Sequence, residues 1–134
     1  MNLETIYEYL QEEGYRPHLD DDGDIKLKCG GKTYWITGYG DDDIYVRVFA
    51  AGQIWPMKTE EEWQLALQVT DGITRDYTGV KAYTVNKDDV FFSIDLLLCE
   101  PTIFPSVFKR CISALDAAVR DFISSIKALS GSGM

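Results

Sequence analysis

The order of the secondary-structure elements that the sequence predicts is the feature that most constrains the fold. Apolar residues recur at helical spacing over residues 3–13, 59–74 and 104–126. Over residues 25–50 and 80–98, apolar side chains instead recur at every second position, which is typical of strands. The predicted order is α-β-β-β-α-β-β-α. This order indicates an α+β domain in which an antiparallel sheet packs against helices.

Short turns connect the first three predicted strands. The apolar residues of 25–29 alternate with lysines, and Gly30-Gly31 predicts a tight hairpin into a second strand over 32–37. A loop over 38–43 then leads to a third strand over 44–50. Because the loops are short, we expect an antiparallel meander with one buried face.

The third predicted strand would place aromatic side chains on the second face of the sheet. Alternation over 44–50 puts Tyr45 and Phe49 on the face opposite the valines. Such a face is either covered by another element or available to a partner. Trp55, beside Pro56 at the exit of the strand, is a further candidate for an interface. We therefore predict that Tyr45, Phe49 and Trp55 bind a partner.

The second half of the chain predicts a capped helix, two strands and a long final helix. Thr59 and Glu62 form a capping-box pattern at the start of the middle helix. Pro105 lies near the start of an apolar stripe long enough for about six helical turns. We expect residues 1–129 to form a single domain and residues 130–134 to form a flexible C-terminal tail.

The charge of the chain excludes several classes of partner. With 13 basic and 22 acidic residues, the 134-residue chain carries a formal charge of −9. It shows no compensating stripe of Lys and Arg, so we expect neither nucleic acid nor a membrane surface as a partner. The N-terminus has no signal-peptide pattern and no apolar run approaches transmembrane length, which favours a cytoplasmic location.

The cysteines and the histidine do not form a reactive or metal-binding motif. Cys29, Cys99 and Cys111 are odd in number and far apart, which favours free thiols in a reducing compartment. His18 has no nucleophile near it in sequence, and we find no nucleophile elbow or phosphate-binding loop. We expect no enzyme activity, no cofactor and no metal.

Two acidic segments leave an alternative function open. Asp20–Asp24 contains a glycine, but an EF-hand alignment places His18 and Cys29 where carboxylates are required, so a hairpin turn is favoured. Residues 41–43 form a second acidic loop. If both loops lay at one end of the sheet, they could share a cation.

Nearly the whole chain resembles the YbjN domain family and the related type III secretion chaperone-like fold. The resemblance rests on patterns of turns and apolar alternation, which occur in residues 22–25, 31–36, 59–74, 79–83, 86–89 and 90–94. It implies a curved antiparallel sheet packed against helices. It also implies a homodimer that binds other polypeptides without chemistry.

The leading hypothesis is a non-enzymatic protein-binding module, chaperone-like or regulatory, that binds a polypeptide segment through apolar surface. The alternative is a small-ligand or cation-binding sensor domain that uses the acidic loops.

Overall fold

The computed structural model describes residues 3–39, 42–52 and 54–131 of the chain. Its helices and strands, in chain order, are α1 (Leu3–Glu12), β1 (His18–Leu19), β2 (Ile25–Cys29), β3 (Lys32–Tyr39), β4 (Asp42–Ala50), α2 (Glu60–Asp76), β5 (Lys81–Val85), β6 (Asp89–Leu97) and α3 (Phe104–Gly131), with a 3-10 turn at Pro101–Ile103.

The described residues form an α+β domain with three α-helices and a six-stranded antiparallel sheet that does not close. The predicted order is confirmed, with β1 as an additional two-residue strand. Most of the loop predicted over 38–43 is strand, because β3 runs to Tyr39 and β4 begins at Asp42. The final helix continues to Gly131, so the first two residues of the predicted tail are helical.

The strands lie in the order β1-β2-β3-β4-β6-β5. The first four follow one another along the chain, as the meander prediction required. The pairing of β4 with β6, which puts Val48 opposite Ile94, joins the two halves of the chain through the centre of the sheet. The strand β5 therefore lies at an outer edge.

The core lies between one face of the sheet and the helices. Ile36 and Val48 are fully buried on this face. The long helix α3 contributes Phe108, Leu115 and Phe122, which are also fully buried, because its apolar stripe faces the sheet. Phe122 packs edge-to-face on Phe92 of β6, with ring centroids 5.5 Å apart.

Local signals fix the ends of these elements. The hydroxyl of Thr59 accepts a hydrogen bond from the backbone N–H of Glu62 at 3.1 Å, which confirms the predicted N-cap of α2. The Glu62 carboxylate accepts from the N–H of Lys58 rather than from that of Thr59. The turn between β5 and β6 has positive φ at Asn86 and Lys87, the backbone that a tight hairpin needs.

Candidate functional site

The second face of the sheet is the candidate functional site, and we call it the open face. Apart from Ser93, its side chains are half-buried or exposed, in contrast to the sealed side chains that face the helices. By strand alternation and register it consists of His18, Lys26, Lys28, Thr33, Trp35, Thr37, Tyr39, Tyr45, Arg47, Phe49, Lys81, Tyr83, Val85, Asp89, Phe91, Ser93, Asp95 and Leu97.

Aromatic rings form a continuous row across the open face. Trp35 stacks on Phe49 with centroids 6.2 Å apart, and Phe49 stacks on Phe91 at 5.9 Å. Phe91 contacts Tyr83 at 6.0 Å in a tilted arrangement. The row therefore extends from β3 to β5, and each pair adds the cross-strand stabilisation that aromatic neighbours provide.

An ammonium group lies at each end of the row. Lys26 Nζ is 5.1 Å from the ring centroid of Trp35, and Lys81 Nζ is 5.7 Å from that of Tyr83. Both distances are within the range of a cation–π contact. We call this line of four rings and its two terminal lysines the aromatic row. In order across the sheet it contains Lys26, Trp35, Phe49, Phe91, Tyr83 and Lys81.

The strand register explains how these residues meet. Lys26 lies opposite Trp35, Trp35 opposite Phe49, and Phe49 opposite Ser93. Side chains directly opposite one another share a face of the sheet. Lys26, Trp35, Phe49 and Ser93 therefore lie in one line across the sheet, from β2 to β6. Phe91 is two residues from Ser93 and therefore lies on the same face, one position along the strand.

A groove of about 210 Å³ opens beside the aromatic row. It is lined by Thr37, Tyr39, Tyr45, Arg47, Phe49, Tyr83 and Phe91. Its volume is below the range typical of drug-sized ligand pockets, so it suits a side chain better than a whole small molecule.

Asp95 is the centre of a polar cluster on the open face. Its carboxylate accepts hydrogen bonds from Arg47 Nε at 2.6 Å, the Tyr45 hydroxyl at 3.0 Å and Lys81 Nζ at 3.3 Å. Burial alone would raise the pKa of Asp95, but the hydrogen bonds from Arg47 and Tyr45 outweigh it and lower that pKa below its usual value. The cluster holds the Arg47 side chain over the sheet at the rim of the groove.

Ser93 lies in the row of residues opposite Phe49 and Lys81. Its hydroxyl is fully buried and has no hydrogen-bond partner. A serine is the smallest side chain on this face, and a larger one would compete for space with the stacked rings of Phe49 and Phe91. A buried hydroxyl without a hydrogen-bond partner destabilises the folded state. The small size of serine, rather than its hydroxyl, therefore explains why it fits at position 93.

The structure brings two of the three predicted partner-binding residues together. Tyr45 and Phe49 both line the groove on the open face. Trp55 lies on the helix side of the sheet, where its ring packs edge-to-face on Phe122 at 6.2 Å. Its backbone N–H donates to Asp89 and its indole N–H is buried without a partner. Trp55 is therefore not part of the same surface.

Sequence reasoning missed most of the open face. The predicted partner-binding residues did not include Trp35, Arg47, Tyr83, Phe91 or Asp95. The alternation in each strand shows which residues share a face of that strand. It does not show that β4 pairs with β6, the pairing that brings Arg47 to Asp95 and Phe49 close to Phe91.

The first acidic segment is a turn. The Oδ1 atom of Asp20 accepts hydrogen bonds from the backbone N–H groups of Asp22 and Asp24, each at 2.9 Å, so its carboxylate organises the loop. Burial, followed by repulsion from Asp20 and Asp22, raises the pKa of Asp24. The second acidic segment, 41–43, lies outside the described side chains. Among those that are described, no group of three acidic, His or Cys residues could hold a metal ion.

A second, larger groove lies at the β1 edge of the sheet and has a volume of about 670 Å³. It is lined by Gly14, Tyr15, Arg16, His18, Leu19, Asp20, Lys26, Leu27 and Lys28, so both basic and acidic side chains border it. Lys26 and Lys28 also belong to the open face, so the groove continues that face around the edge of the sheet.

The family model whose description is "Putative bacterial sensory transduction regulator", YbjN, matches residues 2–128. No match was found among curated proteins. Within the described residues, no helix has the length and apolar character needed to cross a membrane.

Two solved structures resemble the fold. The crystal structure of E. coli YbjN, described as a putative transcription regulator, has a TM-score of 0.68 at 13% identity, over 89% of each chain. An uncharacterized protein from Methanothermobacter thermautotrophicus has a TM-score of 0.64 at 12% identity, over 96% of this chain and 98% of that one. At such low identity these likenesses show the fold alone.

Proposed function

The chain belongs to the YbjN family, and we propose that it acts as a non-enzymatic regulatory module that binds a polypeptide segment across the open face. The family match confirms the YbjN part of the resemblance seen in the sequence. It does not test the secretion chaperone part. The proposal goes beyond the family description in naming a class of partner and a surface.

The aromatic row and its groove are the observation that carries this proposal. Soluble proteins seldom leave a continuous strip of large rings on an uncovered sheet face, and such strips are typical of interaction surfaces. Tyr, Trp, Phe and Arg are also the residues enriched where proteins bind one another. Burial of one such ring against a partner would contribute about 1–3 kcal/mol to binding.

The geometry suits an extended segment. Six strands at a spacing of about 4.8 Å make the open face roughly 24 Å wide, which an extended chain of about seven residues crosses. The groove beside Phe49 is large enough to accept one apolar side chain of that segment. Because the row is stacked before a partner arrives, little side-chain entropy is lost on binding.

A peptide library tests this function directly. Random peptides of about 12 residues, long enough to cross the face, would be displayed on phage and selected on the immobilised protein. Enriched peptides would then be titrated by calorimetry against the wild type and against the double variant Phe49→Thr/Phe91→Thr, since threonine keeps a strand-forming side chain. We expect the double variant to lose most of the binding.

Leu67→Thr is the matched control, because Leu67 is an exposed apolar residue on α2, away from the open face. It should leave peptide affinity unchanged. Failure to enrich any peptide, or equal loss in the control, would rule out the open face as the binding surface. Circular dichroism of each variant separates lost binding from lost folding.

Three expectations from the sequence extend this proposal. We propose that the protein holds its segment in the manner of a secretion chaperone, that it forms a homodimer and that it works in the cytoplasm. Light scattering tests the oligomeric state, and cell fractionation tests the location. A monomer at micromolar concentration would contradict the homodimer prediction.

A further inference from the structure

The open face carries a positive charge that the composition of the chain conceals. The chain as a whole has a formal charge of −9, yet Lys26, Lys28, Arg47 and Lys81 all lie on this face. Two described carboxylates share this face of β6: Asp95, which is paired with Arg47 and Lys81, and Asp89 at the start of the strand, which accepts hydrogen bonds from the backbone N–H groups of Trp55 and Val90. Lys26 and Lys28 have no carboxylate within salt-bridge distance in the described part of the chain.

The helix carboxylates are separated from these cations by the sheet, whereas the Asp20–Asp24 turn flanks Lys26 at the start of β2. Glu8 and Glu12 are exposed on α1, and Glu60 and Glu61 are exposed on α2, in the layer behind the sheet. Packed layers are separated by roughly 10 Å. Because the Debye length is about 8 Å at physiological salt, these carboxylates are largely screened from a ligand on the open face.

We propose that the segment bound by the open face is an acidic one, an inference that rests on the proposed function. An extended peptide lying across the strands would bring carboxylates to Lys26 and Lys28 at one end and to Lys81 at the other. An apolar side chain between them would enter the groove beside Phe49. The groove at the β1 edge adds Arg16 beyond the end of the aromatic row, together with Asp20, whose carboxylate accepts hydrogen bonds from the backbone of its own turn.

A nucleic acid also carries negative charge, but the groove beside Phe49 suits an apolar side chain, which an acidic peptide can supply and a nucleic acid lacks.

The same charges disfavour a second copy of the chain in a face-to-face contact. Symmetric pairing of two open faces would bring the ammonium groups of Lys26 and Lys28, which lack a salt-bridge partner among the described residues, from both copies into one interface. Like charges brought together in an interface oppose association. A homodimer would therefore use another surface.

Fluorescence anisotropy with defined probes tests the proposal. The probes are a labelled peptide of alternating Glu and Leu, its counterpart of alternating Lys and Leu, and an oligothymidylate of similar length. We expect the Glu peptide to bind most tightly, with an affinity that falls as salt rises. In Lys26→Gln/Lys28→Gln its affinity should fall roughly fivefold, since exposed charge pairs contribute modestly.

The control variant is Lys109→Gln/Lys127→Gln, which removes the same charge from exposed positions of α3. It should leave the affinity of the Glu peptide unchanged. Equal weakening in both double variants would show that only net charge matters and would overturn the inference. Unfolding temperatures of both variants confirm that the fold is intact.

The remaining outcomes separate this inference from the proposed function. Equal binding of the Glu and Lys peptides, both lost in Phe49→Thr/Phe91→Thr, would overturn the preference for an acidic segment and leave polypeptide binding in place. Absence of binding by any peptide would overturn both. Tighter binding of the oligothymidylate, or a dimer that dissociates in Phe49→Thr/Phe91→Thr, would assign the face to nucleic acid or to a second copy.

Discussion

Asp95→Asn removes the charge shared by three donors on the open face and should destabilise the protein by about 1.5 kcal/mol at neutral pH. The pair with Arg47 is the strongest, because the N–O distance is 2.6 Å and the two side chains are only 32% and 36% exposed. We assign it about 1 kcal/mol, the upper end of the range for surface pairs. Lys81 is half exposed, and an asparagine at position 95 can still accept a hydrogen bond from Tyr45. Loss of the contacts with Lys81 and Tyr45 should therefore cost only roughly 0.5 kcal/mol more.

Thermal unfolding followed by circular dichroism measures this loss. For a chain of 134 residues the melting temperature should fall by roughly 5 °C. The hydrogen bonds lower the pKa of Asp95 in the folded state, so its stabilisation is complete above the unfolded-state value of about 3.9. It is lost as the pH falls through the lower folded-state pKa. The difference between wild type and variant should therefore be constant from pH 7 to 5 and shrink in stronger acid.

Asp71→Asn provides the control, because Asp71 is 82% exposed and lies 3.9 Å from its partner Arg75. It should change stability by less than about 0.5 kcal/mol. A loss in Asp95→Asn that stays the same from pH 7 into strong acid would assign the effect to packing. The absence of a loss at pH 7 would show that the cluster contributes nothing.

Three further outcomes are expected. Ser93→Ala removes a buried hydroxyl that has no partner and should be neutral or stabilising by up to about 1 kcal/mol in chemical denaturation; a loss would reveal a missed hydrogen bond. Phe122→Ala leaves a cavity beside Phe92 and should cost about 3–5 kcal/mol, and a loss below 1 kcal/mol would show that the core refills the space. In the native protein a thiol reagent should label the exposed Cys99 at once and Cys111 only after unfolding, because burial raises the pKa of the Cys111 thiol to about 11; equal rates would contradict this.

The helices were the most predictable part of the fold. Thr59 and Glu62 marked the start of α2, and the cap forms where the pattern placed it. The apolar stripe predicted for α3 is buried as well, for example at Phe108, Leu115 and Phe122. The helix itself continues to Gly131. Capping and periodicity act within a few residues of the chain, which is why sequence reasoning reaches them.

The candidate site was predicted only in part. Alternation within β4 identified Tyr45 and Phe49, and both lie on the open face. Trp55 was predicted to bind a partner because it lies beside a proline at the exit of a strand. That position does not determine on which side of the sheet the side chain packs. The structure places it against Phe122. The cations of the open face were missed because they are scattered along the sequence.

The sequence by itself determined which residues are helical or extended and which side chains share a face of a strand, because those properties follow from backbone geometry over a few residues. Only the tertiary structure decided which strands are neighbours. The pairing of β4 with β6 brings Arg47 to Asp95, although 48 residues separate them, and stacks Phe49 on Phe91. That register depends on how the whole core packs against α2 and α3, so no local pattern specifies it.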